Sequence, residues 1–151
     1  MSATTSYANG VLSTTFNNAK RFIFNNQYIT ASYTNGTGAS VDLPAGRIMG
    51  LIFSTNKVTP RLTSGVTNGS QVPYGILAAD YTVANGATVT VTLCISGQVD
   101  ASLISDVADP ADLTATVTMT DSATNTLVTG TIESIMVSKG LIPITVIQNT
   151  Y

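Results

Sequence analysis

Residues 43–100 read LPAGRIMGLIFSTNKVTPRLTSGVTNGSQVPYGILAADYTVANGATVTVTLCISGQVD. Short apolar runs are separated by Gly, Pro and Asn-Gly, the residues that supply turn geometry. Thr88 to Ile95 is the clearest element. Val89, Val91, Leu93 and Ile95 fall on one side and Thr88, Thr90, Thr92 and Cys94 on the other, the period of two of a half-buried strand. Gly97 ends that strand or puts a bulge in it before Val99. Upstream, Tyr74–Ala78 reads as a buried strand entered through Pro73, between turns at Asn68-Gly69 and Asn85-Gly86. Arg47–Phe53, RIMGLIF, is short and bounded by Gly, which suits a strand better than a helix. Lys57–Leu62 is a weaker strand, and Pro60 inside it predicts an edge position.

Working outward, the stretch from Phe16 to Tyr33 also carries Phe22, Phe24 and Tyr28. Arg21–Phe24 and Gln27–Tyr33 flank Asn25-Asn26; Asn tolerates positive φ, so a tight hairpin is expected there. Residues 1 to about 12 are small, polar and aperiodic and read as a flexible arm. On the other side, Leu113, Ala115, Val117 and Met119 alternate with Thr114, Thr116, Thr118 and Thr120, which reads as a strand. A turn at Asp121–Asn125 leads to a partner strand at Thr126–Thr131. Ile132, Ile135 and Met136 recur at helical spacing, and Lys139 with Gly140 supplies the stop signal, so a helix is expected from about Thr131 to Lys139. Leu141–Ile147 closes the chain as a strand, with Pro143 placing it at an edge or bulge. The sum is a mainly β chain with one short C-terminal helix.

Composition agrees. The 151 residues suit one domain with a real core. Charged residues make up only 9%, far below the usual quarter; Thr, Ser and Asn supply the polarity, and Thr favours a pleated surface. Net charge is −2 with no basic cluster beyond Lys20-Arg21, so no electrostatic footprint for nucleic acid is present. The start, MSATTSYANG, has no basic n-region or apolar h-region, so no secretory signal is visible and the chain is expected to stay where it is made. No run approaches the ~20 apolar residues of a membrane helix. Cys94 is alone and mid-strand, which predicts a buried, inert thiol and no intrachain disulfide.

The chain has no His and no Trp. That removes His-based triads and the commonest zinc sites. No dinucleotide or phosphate-loop motif is present. The densest carboxylate set is Asp100, Asp106, Asp109 and Asp112. Such a set can do acid–base work or bind Ca²⁺, but Asp109-Pro110 is a turn dipeptide and the EF-hand pattern is missing. The four read as loop residues, and no catalytic, cofactor-binding or metal residue is expected. Asn35-Gly36-Thr37 and Asn68-Gly69-Ser70 match a glycosylation pattern but read as turns. Met49, Met119 and Met136 read as core filler. Lys20-Arg21 reads as a gatekeeper pair beside the Phe22-Ile23-Phe24 segment. For the aromatic-rich N-terminal segment, packing on its own domain and docking on a partner both stay open.

Five short motifs occur in a telling order: Leu43-Pro44-Ala45-Gly46 leading into a strand, Ser54-Thr55-Asn56-Lys57-Val58 running to Pro60, Pro73-Tyr74-Gly75-Ile76-Leu77-Ala78-Ala79-Asp80, Ser96-Gly97-Gln98-Val99, and the ending Met136–Val146. In this order they resemble the lambda-type head decoration proteins of tailed bacteriophages. The resemblance implies a small β-clip-like or β-barrel domain over residues 43–151, preceded by an extended N-terminal arm and aromatic-rich strand segment over 1–42. It implies a structural protein with no enzyme activity and no cofactor. Such a protein is made in the host cytoplasm and carried on the outer capsid surface of the virion. It forms a homotrimer at three-fold positions, clamping the phage major capsid protein, with no nucleic-acid or membrane partner. In the family the arm pairs with capsid strands, which puts Ser2, Ala3, Thr4, Thr5, Ser6 and Tyr7 on the docking arm. Two departures stand out: the segment before Leu43 is longer and more aromatic than the family pattern, and Ala111–Thr131 looks like an inserted hairpin. The competing reading is a binding module, a β-sandwich adhesin or head-fibre domain with carbohydrate-binding loops.

Overall fold

One long strand, β9 (Thr88–Asp100), organises the chain. The computed structural model describes residues 3–5, 11–16, 21–62, 66–106, 111–121 and 126–145. Along one side of β9 runs β3 (Phe22–Thr34), antiparallel over its whole length. The last turns of β3 pair in parallel with β6 (Lys57–Pro60), which pairs with β5 (Ile48–Ile52), which pairs with β7 (Pro73–Leu77). β7 returns to β9 through Ile76↔Cys94 and Leu77↔Leu93. Five strands thus close into a barrel. The far half of β9 runs on past the barrel and takes β12 (Leu141–Ile144) in parallel along its second side.

A second sheet has the order β1 (Ala3–Thr5), β2 (Val11–Phe16), β8 (Asp80–Val83), β4 (Val41–Leu43). β10 (Thr116–Asp121) and β11 (Thr126–Thr131) form the expected hairpin and lead directly into α1 (Ile132–Ser138). The helix starts where the sequence places it. Thr131 caps it by accepting a hydrogen bond from Ser134 N–H, and Gly140, at φ +87°, turns the chain out of it. The strand before it begins at Thr116 rather than Leu113, because the Asp112 carboxylate takes Thr114 N–H and Oγ–H into a tight turn.

Two cores result. Val89, Val91 and Leu93 enter the barrel interior with Tyr33, Met49, Val58 and Leu77, and Leu43, Tyr81 and Val83 of the second sheet close it. Each such side chain contributes about 1.5–3 kcal/mol on burial. The strict alternation holds to Leu93 and then fails. Ile95 is only half-buried, whereas Cys94, on the side of the Thr side chains, is fully buried, as expected of an inert thiol. The reason is a second core on the outer face of β9, where Cys94 and Val99 pack with Ile48, Ile76 and Ile104 and with Ile132, Ile135, Met136 and Leu141. Helical residues dry a face that the Thr side chains of the first half leave in water.

Three sequence expectations change. Asn25-Asn26 does not turn a hairpin; β3 runs through it as one strand with a bulge. Asn25 takes the left-handed conformation, φ +53°, and Gly97 opposite it has φ +105°. A Cβ on Gly97 would lie 2.6 Å from the Asn25 carbonyl oxygen, so the bulge needs glycine there. Pro60 does not mark an edge, since β6 lies between β3 and β5. Arg61 N–H donates to Ile48 O (2.9 Å), which makes Met49 and Pro60 a pair without mutual hydrogen bonds. The Pro60 nitrogen therefore faces away from β5, and β3 reaches only Lys57 and Val58. Finally, the arm is not structureless where it is described, because Ala3–Thr5 and Val11–Phe16 are paired strands. Residues 22–34, grouped with the N-terminal segment on sequence, form a wall of the barrel.

Candidate docking surface

Of the arm residues, Ala3, Thr4 and Thr5 pair antiparallel with Phe16, Thr15 and Thr14, and Ser2, Ser6 and Tyr7 lie outside the described residues. β2 in turn lies on β8 through Val11↔Val83, Ser13↔Thr82, Thr14↔Tyr81 and Thr15↔Asp80, with a bulge between Val11 and Ser13. The N-terminal ribbon is thus the outer layer of its sheet. Among the described strands nothing pairs with the outer edge of β1, which leaves extended backbone of the kind that strand addition uses.

The barrel sheet has two further open edges. The edge of β12 is blunted. Gly97 N–H donates to Gly140 O (2.9 Å), and this phase turns the Pro143 nitrogen away from β9, so no donor projects there. The edge of β3 is different. β6 covers only Ser32 and Tyr33, and from Phe22 to Ala31 no described strand pairs on that side. Phe24 is 68% exposed and Tyr28 45%, with Ile23 exposed between Phe24 and Phe22. Phe22 and Tyr28 stack edge-on at 5.6 Å between ring centres, which holds Tyr28 against the sheet. Phe53, 71% exposed, sits at the tip of the β5–β6 turn over Gly69.

The carboxylates do not converge. Asp100 is buried and caps the short 3₁₀ turn Ala101–Leu103 by accepting from Ser102 N–H and Oγ–H. Asp112 is exposed, and the Thr114 hydrogen bonds hold its carboxyl below the ordinary range. Asp109 lies outside the described residues. Asp106, expected in a solvated loop, is buried and ion-paired with Arg61, whose Nε and Nη2 both reach Asp106 Oδ2. Arg61 Nη1 also donates to the carbonyls of Leu62 and Gln71. Nothing in the spacing of Arg61 and Asp106 announces this pair; only the barrel brings them together. Among the described residues no group of three His, Cys, Asp or Glu side chains is placed to hold a metal ion.

Cys94 has the environment expected of an inert thiol. Burial raises its pKa, although hydrogen bonding from the Asn26 side chain and the Ser96 backbone works against this. Asn35 is more than a turn residue. It is completely buried, its Nδ2 donates to the carbonyls of Ala39 and Val83, and its Oδ1 accepts from Thr37. It locks the β3–β4 loop to the β8–β9 turn. At the other glycosylation-like motif, Asn68 Oδ1 accepts from Ser70 N–H and Oγ–H, closing a turn around Gly69. Met49 and Met136 are core residues, as expected.

Comparison with known protein families, with curated proteins and with solved structures finds no match to this chain. No helix among the described residues is long and apolar enough to cross a membrane.

Proposed function

We propose that this chain is a structural decoration protein that binds and stabilises the outer shell of a bacteriophage capsid, without catalysis. The observation that carries this reading is the ordered run of motifs from Leu43 to Val99, together with the Met136–Val146 ending, that resembles lambda-type decoration proteins. The described parts of those motifs run along β4 to β9 and through α1 and β12, across the barrel, its extension and the second sheet. The low charge and the Thr, Ser and Asn surface suit a protein that repeats many weak contacts around a shell, where avidity multiplies modest affinity. The partner is the major capsid protein, the arrangement a homotrimer at three-fold positions, and the N-terminal ribbon the element that reaches the shell.

The test is co-sedimentation of the purified chain with expanded capsids that lack their decoration protein, followed by heating of the loaded shells. Saturable binding in multiples of three per local three-fold, with a raised shell disruption temperature, is the expected result. Absence of binding to such shells, with glycan arrays giving specific signals instead, would replace this reading by the adhesin module.

A further inference from the structure

Among the described strands, β3 carries an open edge without the usual protection. The register Thr34↔Thr88 and the hydrogen bond from Asn35 N–H to Ala87 O (2.9 Å) fix the phase of the β3–β9 ladder. Thr34, Ser32, Thr30 and Tyr28 are the positions whose N–H and C=O point away from β9. β6 takes the pairing at Ser32 and Tyr33. Among the described residues no strand takes the outward backbone groups of Tyr28 and Thr30, and both side chains are exposed. Natural edges are blunted by Pro, by Lys or by an inward charge. β12 has Pro143, but between Phe22 and Val41 there is no charged residue and no proline. The Asn25–Asn26 bulge limits the usable edge on one side and β6 limits it on the other. What remains is a window from Gln27 to Ala31, centred on Ile29.

We propose that this window pairs, antiparallel and across a two-fold axis, with the same window of a second copy of this chain. In that register Ile29 lies on the axis and Tyr28 of each copy faces Thr30 of the other, so each facing pair exchanges both backbone hydrogen bonds. The pairing sets an aromatic against a β-branched side chain, a favourable cross-strand combination. The occupant follows from charge and length. A neutral edge offers no steering to a charged foreign strand, but it meets its own copy without the like-charge opposition that usually forbids self-pairing. A second copy also carries the same limits at the same distance from the axis, so both windows fill completely. The inference does not rest on the capsid reading. The contact closes on itself and leaves the N-terminal ribbon and β12 free.

The experiment is sedimentation velocity on the full chain from low to several hundred micromolar, with folding checked by circular dichroism. The wild-type chain is expected to dimerise. Tyr28→Lys with Thr30→Lys places like charges opposite each other in both pairs and should weaken dimerisation at least about tenfold. Tyr28→Lys with Thr30→Glu places opposite charges there and should restore it. Thr30→Pro keeps every β3–β9 hydrogen bond, removes one outward donor per copy, and should also weaken the dimer. A wild-type chain that stays monomeric throughout overturns the proposal and leaves the edge to a strand of another protein. So does a Lys/Lys chain that associates as strongly as wild type, or a Lys/Glu chain that, when folded, fails to recover. If both double variants are unfolded, the proline variant decides alone, and undiminished association in it overturns the proposal.

Discussion

The guanidinium of Arg61 closes on the carboxylate of Asp106, and both side chains are buried. Arg61 follows the last residue of β6; Asp106 lies just beyond the 3₁₀ turn that follows β9. The ion pair thereby ties the exit of β9 to the barrel wall. Asp106 Oδ1, Arg47 Nε and Ser105 Oγ are buried nearby in the chain register without a hydrogen-bond partner among the described residues. Stability here depends on keeping both charges together. Removing one partner strands the other, at about 3–5 kcal/mol. Asp106→Ala is therefore expected to lower the urea midpoint strongly, and Arg61→Met with Asp106→Leu to lower it less than the single change. A single variant with an unshifted midpoint would show that Arg61 finds water instead.

The barrel face of β9 gives a second expectation. Val91 is fully buried, and Thr90 beside it is exposed. Val91→Asp puts an unpaired charge into an apolar core and should abolish the folded state. Thr90→Asp should stay within about 0.5 kcal/mol of wild type, the range of ordinary surface changes. Thermal melts followed by near-ultraviolet circular dichroism separate the two. Equal loss in both variants would mean that the Thr face is not wet.

The Cys94 thiol should react slowly with a disulfide reagent in the native chain and at once in denaturant. Its pKa is raised above the ordinary 9.0 by burial, so the native thiol keeps its proton after the unfolded one has lost it. The unfolded chain then binds fewer protons, and by linkage stability falls as pH rises above about 9. Below that pH both states hold the proton and this group makes no difference. Cys94→Ala should remove the alkaline part of the decline that belongs to the thiol; an unchanged stability profile above pH 9 would assign it to the tyrosines, of which Tyr28 and Tyr33 are likewise raised by burial.

Deleting residues 1–7 removes β1 and leaves β2 on β8. The truncated chain is expected to fold with an unchanged barrel and to bind decoration-free capsids more weakly, since an edge available for strand addition is gone. Equal retention of the two chains on the shells in a pelleting assay would take the arm out of the docking mechanism.

What could be read in the sequence was what local pattern encodes. The alternation of Thr88–Leu93, the capped helix after Thr131 and the β10–β11 hairpin each rest on neighbours within a few residues, and each is found. What could not be read depends on remote partners. The alternation of β9 stops before Ile95, and its Thr side turns apolar at Cys94, because a helix some forty residues later covers it, and Asn25 bends a strand rather than turning it because Gly97 lies opposite. Asp106 reads as a loop carboxylate until Arg61 is brought to it. The exposed β3 edge had a partial signal, an uncharged aromatic stretch, but whether it faced the core or water depended on β6 being only two pairs long.

Because β9 lends one half to the barrel interior and the other to the helix-covered core, neither hydrophobic cluster can melt while the other persists. Freeing the Val99 end opens the ladder that also anchors Val91, with β3 spanning both. The amides of the two halves should therefore share a single opening event, and their hydrogen exchange is expected to report the global unfolding free energy at both ends of the strand. A chain with two cores is therefore expected to melt, in calorimetry, as one cooperative unit.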